Sequence, residues 1–455
     1  MPHPTAQRAL FEESFEKPVV VQFEGEQSSS DGGGVLLGAV DRRIGLTKSL
    51  SQELRDERRT WRVEHTKQEL FSQRVYSIAL GYADQNDSAR VAGDPLLKLL
   101  CGRSPSDPAS LASQPTLSRF ETTRSGRELV ALGRRLERFV IERLKKTHRH
   151  ARRITIDLDS TEDPTHGQQP FAFFNGYYES WCYLPMLGFL SVDDEETQHL
   201  FHARLRPGTA RDARGTPTLL RRTVRTLRRA FRKARILVRL DAGFAVPAVF
   251  EVLGELGVDY LVAMPGNAVL LRAAAEPMRI ARELAQQFGG SLANWGETSY
   301  RSSGWKKARR VVFKAEALVY PERELKENQR FVVTNLRLAP AKAWKLYCQR
   351  GDVENRIKEL HEGLEIDRTS CSSFLANAFR VLETAAAYVL FQELRLRLPK
   401  TDFARAQVGT LRERLLKIGA VVKESVRRIV LSLPASYPWK SLWHEAAHGL
   451  GALVT

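Results

Sequence analysis

The chain has 455 residues, 43% hydrophobic and 27% charged, which is too long for one core and ordinary for a globular protein of roughly two to four domains. Its 70 Lys and Arg against 53 Asp and Glu leave a formal net charge of +17, which points to a polyanionic partner, nucleic acid before membrane. No run of 18 apolar residues occurs, the N-terminus MPHPTAQRALFEESFEK lacks the apolar stretch of a signal peptide, and Cys101, Cys182, Cys348 and Cys371 are isolated, so neither a membrane span, secretion, a disulfide framework nor a zinc knuckle is expected.

SSSDGGG, from Ser28 to Gly34, reads as a loop. Residues 36–150 carry apolar residues at helical spacing, as in Leu70, Val75, Ile78 and Leu80, and end in a stretch dense in Arg, Lys and His. RRITIDLDST then alternates Ile154, Ile156 and Leu158 as a strand does, and strand-like runs follow at Cys182–Val192 and Leu200–Leu205. Thr216 to Arg235 forms an amphipathic helix with the stripe Leu220, Val224, Leu227 and Phe231. ILVRLDAGF is a buried-type strand, PAVFEVLGELG a helix and DYLVAMP a strand, an alternation that argues for an α/β layer. From Gly266 to about Pro340 the period returns to two, which predicts a β-rich insertion. Helical periodicity resumes near Ala341 and runs to about Leu398, and a small helical region follows.

Three acids stand out by context. Asp159 and Asp241 each end an apolar strand, where the mouth of an α/β sheet binds ligands, and Glu354 lies in a helix, LYCQRGDVENRIKEL. Two such strands with a helix across them can converge three hard oxygen donors suited to Mg²⁺ or Mn²⁺. Two such ions roughly 4 Å apart clamp the attacking and leaving oxygens of a phosphodiester displacement. The bland alternative is that acids at strand ends are turn residues. Asp157 competes with Asp159; the two are expected to face opposite sides of the strand, so that one alone points at the metals. On the helix, Tyr347, Arg350, Glu354, Lys358 and His361 share one stripe roughly 80° wide, beside an apolar stripe of Leu346, Val353, Ile357, Leu360 and Leu364. A solvated face stitched by Arg350–Glu354 and Glu354–Lys358 pairs is the competing reading.

Tyr-x2-Arg-x3-Glu at Tyr347, Arg350 and Glu354 resembles the signature of DDE transposases of bacterial insertion sequences. IDLDST, FFNGYYESWCYLPMLGF, RLDAGF and YCQRGDVENRIKEL, in this order, resemble the thirteen-eighty insertion-sequence family, as do DRRIGLT, RVYSIALGYADQND and TLSRFE nearer the N-terminus. The resemblance covers nearly the whole chain. It implies an α/β fold: an RNase H-like catalytic core of the retroviral integrase superfamily, with a β-rich insertion before the glutamate helix and helical regions on either side. The expected divisions are 1–150, a mostly helical DNA-binding region; 151–265 with 341–398, the catalytic domain; 266–340, the insertion; and 399–455, a helical region that could dimerise. It also implies that Asp159, Asp241 and Glu354 are the catalytic and metal-binding triad, with two Mg²⁺ per site and Mn²⁺ as substitute. The resemblance also implies Asp159 over Asp157, because the matched motif is an aspartate followed directly by two small residues, here Ser160 and Thr161. Tyr347, Arg350 and a basic residue would hold DNA phosphates. The family's signature places Lys seven residues after the glutamate, where this chain has His361, so Lys358 and His361 both remain candidates.

Arg225, Arg229 and six further cations on the Thr216–Arg235 helix are candidates for DNA contact. Trp305, beside Lys306, Lys307, Arg309 and Arg310, could stack on an unpaired base, as could Trp295, although core packing is the commoner role of a Trp. The aromatic run from Phe171 to Trp181 is expected to pack in a hairpin. His444-Glu445-Ala446-Ala447-His448 matches the zincin motif H-E-x-x-H, but Val454 stands where a third ligand would fall, so coincidence is the better reading. The expected partner is double-stranded DNA, as terminal inverted repeats and as target, bound by a homodimer in a bacterial cytoplasm. A strand-cutting nuclease or resolvase of the same fold, and a non-catalytic DNA-binding protein derived from a transposase, are the alternatives.

Overall fold

Strands rich in Ile, Leu and Val on both faces belong inside a sheet covered on both sides. That is where the computed structural model places RITIDLDS and RILVRL. It describes residues 26–453 except 60, 62, 322 and 399–401, together with 9–11, 17 and 19–21. The chain divides into two compact units, 121–389 and 1–120 with 390–455.

The first unit is built on an eight-stranded sheet. Its strands are β1 (Arg153–Ser160), β2 (Met186–Val192), β3 (His199–Arg204), β4 (Arg235–Leu240), β5 (Asp259–Met264), β6 (Leu292–Tyr300), β7 (Arg309–Leu318) and β8 (Lys326–Thr334). Across the sheet they run β6-β7-β8-β5-β4-β1-β2-β3. β4 pairs in parallel with both β1 and β5, whereas β2, β3 and the β6–β8 meander are antiparallel. The β1–β4 register sets Arg239 opposite Asp157.

The helices are α1 (Gly126–Thr147), α2 (Thr216–Ala230), α3 (Pro247–Leu256), α4 (Ala268–Ala273), α5 (Ala275–Phe288), α6 (Pro340–Cys348), α7 (Asp352–Leu364) and α8 (Phe374–Arg395). α1 opens with a capping box in which Ser125 and Glu128 each satisfy the other's backbone N–H. α2 buries Leu220, Val224 and Leu227, the stripe its spacing predicts. The β-rich reading of 266–340 holds for β6 to β8 but not for α4 and α5. There Asn267 caps the first turn through Val269 and Leu270, and Arg279 pairs with Glu276 and Glu283 at helical spacing. α6 docks through Ala343 and Trp344 onto a cluster containing Leu237, Leu261, Val312 and Val332. α8 is long and apolar enough by length and composition to span a bilayer, which the sequence reading did not anticipate; 83% of that stretch is buried within the protein, and it carries the buried Arg380 and Glu383.

In the second unit, helices at Val35–Ile44 and Leu46–Ser51 meet at Gly45, whose φ of 73° ends the first and opens the next. The DRRIGLT segment owes its shape to Asp41. Its buried carboxylate accepts the Thr47 amide at 3.0 Å, the Thr47 hydroxyl, and the Tyr76 hydroxyl at 2.9 Å. The C-terminal stretch is not wholly helical: Ala420–Glu424 pairs with Ile429–Ser432 and with Ser28–Ser29 before the helix Lys440–Gly449. Because buried hydrogen bonds to a charged acceptor contribute about 1.5–3 kcal/mol each, Asp41→Ala is expected to lower the unfolding free energy of this unit by about 3 kcal/mol or more. Urea denaturation measures this, and a loss under about 1 kcal/mol would show that Asp41 does not hold the turn.

Candidate active site

On a strand, side chains two positions apart share a face. Asp157 and Asp159 therefore lie on the same side of β1, contrary to the expectation of opposite sides. What separates them is depth. Asp157 is fully buried and takes a two-pronged ion pair from Arg239 of β4, at 2.8 and 2.7 Å. Arg239 spends its remaining nitrogen on the Leu346 carbonyl of α6 at 3.0 Å. Two residues further along both strands, Asp159 and Asp241 form the next rung, with no cation from either strand.

A third element supplies that cation. The segment read as one helix is broken: α6 ends at Cys348, a 3₁₀ turn spans Gln349–Gly351, and α7 begins at Asp352. The tighter winding turns Arg350 inward, where it is 7% exposed, while the Glu354 side chain one turn on is 72% exposed. Arg350 Nη2 lies 2.9 Å from Asp159 Oδ2 and 3.7 Å from Asp241 Oδ2, and Nη1 lies 3.7 Å from Glu354 Oε1. One guanidinium thus brings together all three acids singled out in the sequence. The other oxygens of the aspartates are held by backbone: Asp159 Oδ1 accepts the Ser160 amide and Asp241 Oδ1 the Gly243 amide, both at 2.9 Å. Gly243 is required for close approach, since a Cβ there would lie 2.0 Å from Asp212 Oδ2.

The corner is short of positive charge. Burial raises the Asp159 carboxyl to about 7; Arg350 opposes the rise, and Asp241 and Glu354 add to it. Asp241 is also raised, by burial first, with Arg350 opposing and Asp212 adding. Three carboxylate donors suit a hard divalent cation by their chemistry. Among the described residues no three His, Cys, Asp or Glu side chains are grouped closely enough to hold an ion as they stand, and Arg350 lies among these three acids.

The other candidate residues separate clearly. Tyr347, half-buried against Trp344, has its phenol pushed up to about 12 by burial, with Arg350 opposing and Asp241 and Asp159 adding. Lys358 is exposed and pairs with Glu362 at 3.6 Å. His361 is committed at both nitrogens, to Thr161 Oγ1 at 2.9 Å and Asp367 Oδ2 at 3.0 Å, and so ties α7 to the turn after β1. Arg225 and Arg229 are exposed on α2, whereas Arg221 and Arg222 are paired with Glu255 and Glu137. Trp305 is not available to a base: it is 5% exposed and packed by Phe250, Tyr300 and the Arg309 guanidinium. Trp295, on the edge strand β6, is 41% exposed. The aromatic run does form a hairpin, Phe173–Asn175 with Ser180–Tyr183, yet Phe171, Phe174, Tyr177 and Trp181 stand out from it exposed.

Sequence reasoning missed Arg206 and Asp212. Arg206, 4% exposed, donates to Ser160 Oγ at 2.7 Å and to the carbonyls of Leu184, Arg211 and Asp212. They sit in the irregular loop RPGTARDARG, where no period marks a residue, and only the fold brings them beside Asp159 and Asp241.

Comparison with protein families matches residues 11–455 to the family described as Transposase DDE domain group 1. No curated protein matches the chain.

The charge balance makes a measurable prediction. In the metal-free protein the Asp159 carboxyl is expected to take up a proton as pH falls through about 7, and Arg350→Gln should move that titration higher, since the guanidinium favours the ionised form. Burial raises this carboxyl above its unfolded value, so the cost it imposes on folding is full above pH 7 and disappears at pH below the ordinary aspartate range. Carboxyl carbon NMR follows the titration; an ordinary aspartate value would show that the corner is not strained.

Proposed function

The chain belongs to the DDE transposase family, and from that premise we propose that it is the transposase of a bacterial insertion sequence, of the thirteen-eighty family, which cleaves at the element's terminal inverted repeats and joins the freed 3′-hydroxyls to target DNA. Transposases of this family act on DNA and generally use a divalent metal. The observation that carries the finer reading is the convergence of Asp159, Asp241 and Glu354 on one guanidinium. The strand order β3-β2-β1-β4-β5, with β4 parallel to its two neighbours, supports an RNase H-like core.

Two Mg²⁺ ions, or Mn²⁺ in their place, would be held by Asp159, Asp241 and Glu354, and would supply an activated water and a clamp on the attacking and leaving oxygens. The chain's own groups do the rest. Arg350 holds the acids together in the free protein. With their charge otherwise matched, its planar fork suits the non-bridging oxygens of the scissile phosphate. Tyr347, with a phenol pushed up to about 12 by burial, stays protonated near neutral pH; it donates a hydrogen bond to phosphate and does not act as a nucleophile. Lys358 is the better phosphate contact of the two candidates, since both nitrogens of His361 are taken. Exposed Arg225 and Arg229 would follow the duplex backbone. Joining two ends in one reaction calls for two protomers, so the working form is a homodimer on DNA.

Both chemical steps are in-line displacements at phosphorus and use the same acids. Asp241→Asn is therefore expected to bind the element's ends like the unaltered protein while Mg²⁺-dependent nicking and strand transfer from precut ends fall by at least about a hundredfold, the scale of removing one electrostatic stabiliser. Nicking that survives would remove Asp241 from the site, and nicking without strand transfer in the unaltered protein would make it a nuclease.

A further inference from the structure

A second cluster of cations lies one side chain away from the catalytic acids. A cavity of ≈ 180 Å³ opens beside the first turn of α2, and His202, Arg204, Arg206, Arg214 and Arg222 line it. Among the described residues Glu137 pairs with Arg222, and Asp212 lies 3.7 Å from Arg206, whose other donors go to Ser160 and to backbone carbonyls, so Arg204 and Arg214 carry the cavity's unmatched charge. Arg204 and Arg214 are exposed at its rim. Two further features point to an anion. The N-cap of α2 is Gly215, which has no side chain to cap with, and Pro217 has no N–H. Thr218, which lines the cavity, sits in the first turn at the positive end of the helix dipole. His202 is 8% exposed, and its Nδ1 has no hydrogen-bond partner. Its imidazole is pushed down to about 3 by burial, with Arg222, Arg204 and Arg206 adding, which agrees with a strongly positive surrounding.

We infer that this cavity is a phosphate-binding site, and that the phosphate it takes is one from the backbone of the DNA strand being processed. The assignment to a strand rests on the transposase reading and on one connection. Arg206 lines the cavity with part of its side chain and donates from Nη2 to Ser160 Oγ, next to Asp159, while its loop carries Asp212 against Gly243 beside Asp241. A backbone phosphate held here fixes the strand a short step from the acids and braces the turn that aims Asp159. A free phosphate or nucleotide phosphate offers the same chemistry without that consequence.

The test uses the full chain carrying Arg204→Gln with Arg214→Gln, two rim residues, and the Lys pair at the same positions as the charge-conserving control. In one arm, inorganic phosphate is added to metal-free protein without DNA and the broadening of its ³¹P resonance is followed. The Gln pair is expected to abolish the broadening and the Lys pair to restore most of it. In the other arm, affinity for a short duplex is measured across salt concentrations. The slope of log K against log salt should become shallower by about 0.9, the value for one DNA phosphate that the protein no longer neutralises, with the Lys pair near the unaltered value. Broadening unchanged in the Gln pair overturns the site. Broadening abolished while the DNA slope stays unchanged assigns the cavity to a free phosphate and overturns its role on the strand. A Gln pair that does not reproduce the unaltered far-UV spectrum is replaced by Arg214→Gln alone, judged by the same two readings. Protein that shows both effects yet neither nicks nor transfers DNA keeps the phosphate site and refutes the transposase reading instead.

Discussion

Two carboxylates on adjacent strands, both turned toward the same buried corner, repel each other, and the Arg350 guanidinium is what lets them stand there. It does so incompletely: burial and the neighbouring acids still hold Asp159 at about 7. A corner that remains short of positive charge after its own arginine has been used is one with an appetite for cations. A surface ion pair, solvated and self-sufficient, would not have it.

The strand register makes the corner possible. Because β1 and β4 are parallel, with Asp157 opposite Arg239, the acids two residues on fall on the same face and the same rung. The lower rung is neutralised within the sheet and the upper one is not. Arg239 then reaches past Asp157 to the Leu346 carbonyl, so the pair that neutralises the lower rung also anchors α6, the helix that delivers Arg350. Strands β6 to β8 serve the same end. Val312 of β7 and Val332 of β8 share a core cluster with Ala343 and Trp344 of α6, so the meander extends the floor on which the glutamate-bearing segment rests. The chain can therefore carry a long segment between Asp241 and Glu354 without parting them, because that segment adds strands to the same sheet.

What was legible in the sequence follows from what is local. Apolar alternation in RITIDLDS, the apolar run ILVRL and the stripe of α2 depend on neighbours along the chain, and each became the element its pattern implied. The three acids stood out because strand ends and a helix stripe are local features too, and the fold sets all three around Arg350. Where reading failed, the deciding partner was mostly distant. The facing of Asp157 and Asp159 was misjudged on a local rule, since residues two apart share a strand face, and only their difference in partners turns on Arg239, on another strand. The role of His361 turns on Thr161 and Asp367, and the burial of Trp305 on Phe250 and Arg309. The α4–α5 stretch was misread for a different reason, since its Ala-rich turns sit next to strongly β-patterned residues and only caps and i,i+4 pairs mark the boundary.

A net charge of +17 suits a polyanionic partner but does not say which arginines are free to meet one, and burial narrows the choice. A guanidinium taken out of water must be matched by carboxylates or carbonyls, so a buried arginine has little left to offer a partner. Arg239 is spent on Asp157 and Leu346, and Arg309 on Tyr260 and Phe250; these belong to the fold. Arg350 is spent on the three acids Asp159, Asp241 and Glu354. Arg204, Arg214, Arg225 and Arg229 are exposed, and attraction between such groups and a phosphate chain costs no desolvation of a folded core. Sorted by depth, the arginines fall into structural pairs beneath, Arg350 among the three acids, and exposed charge at the surface.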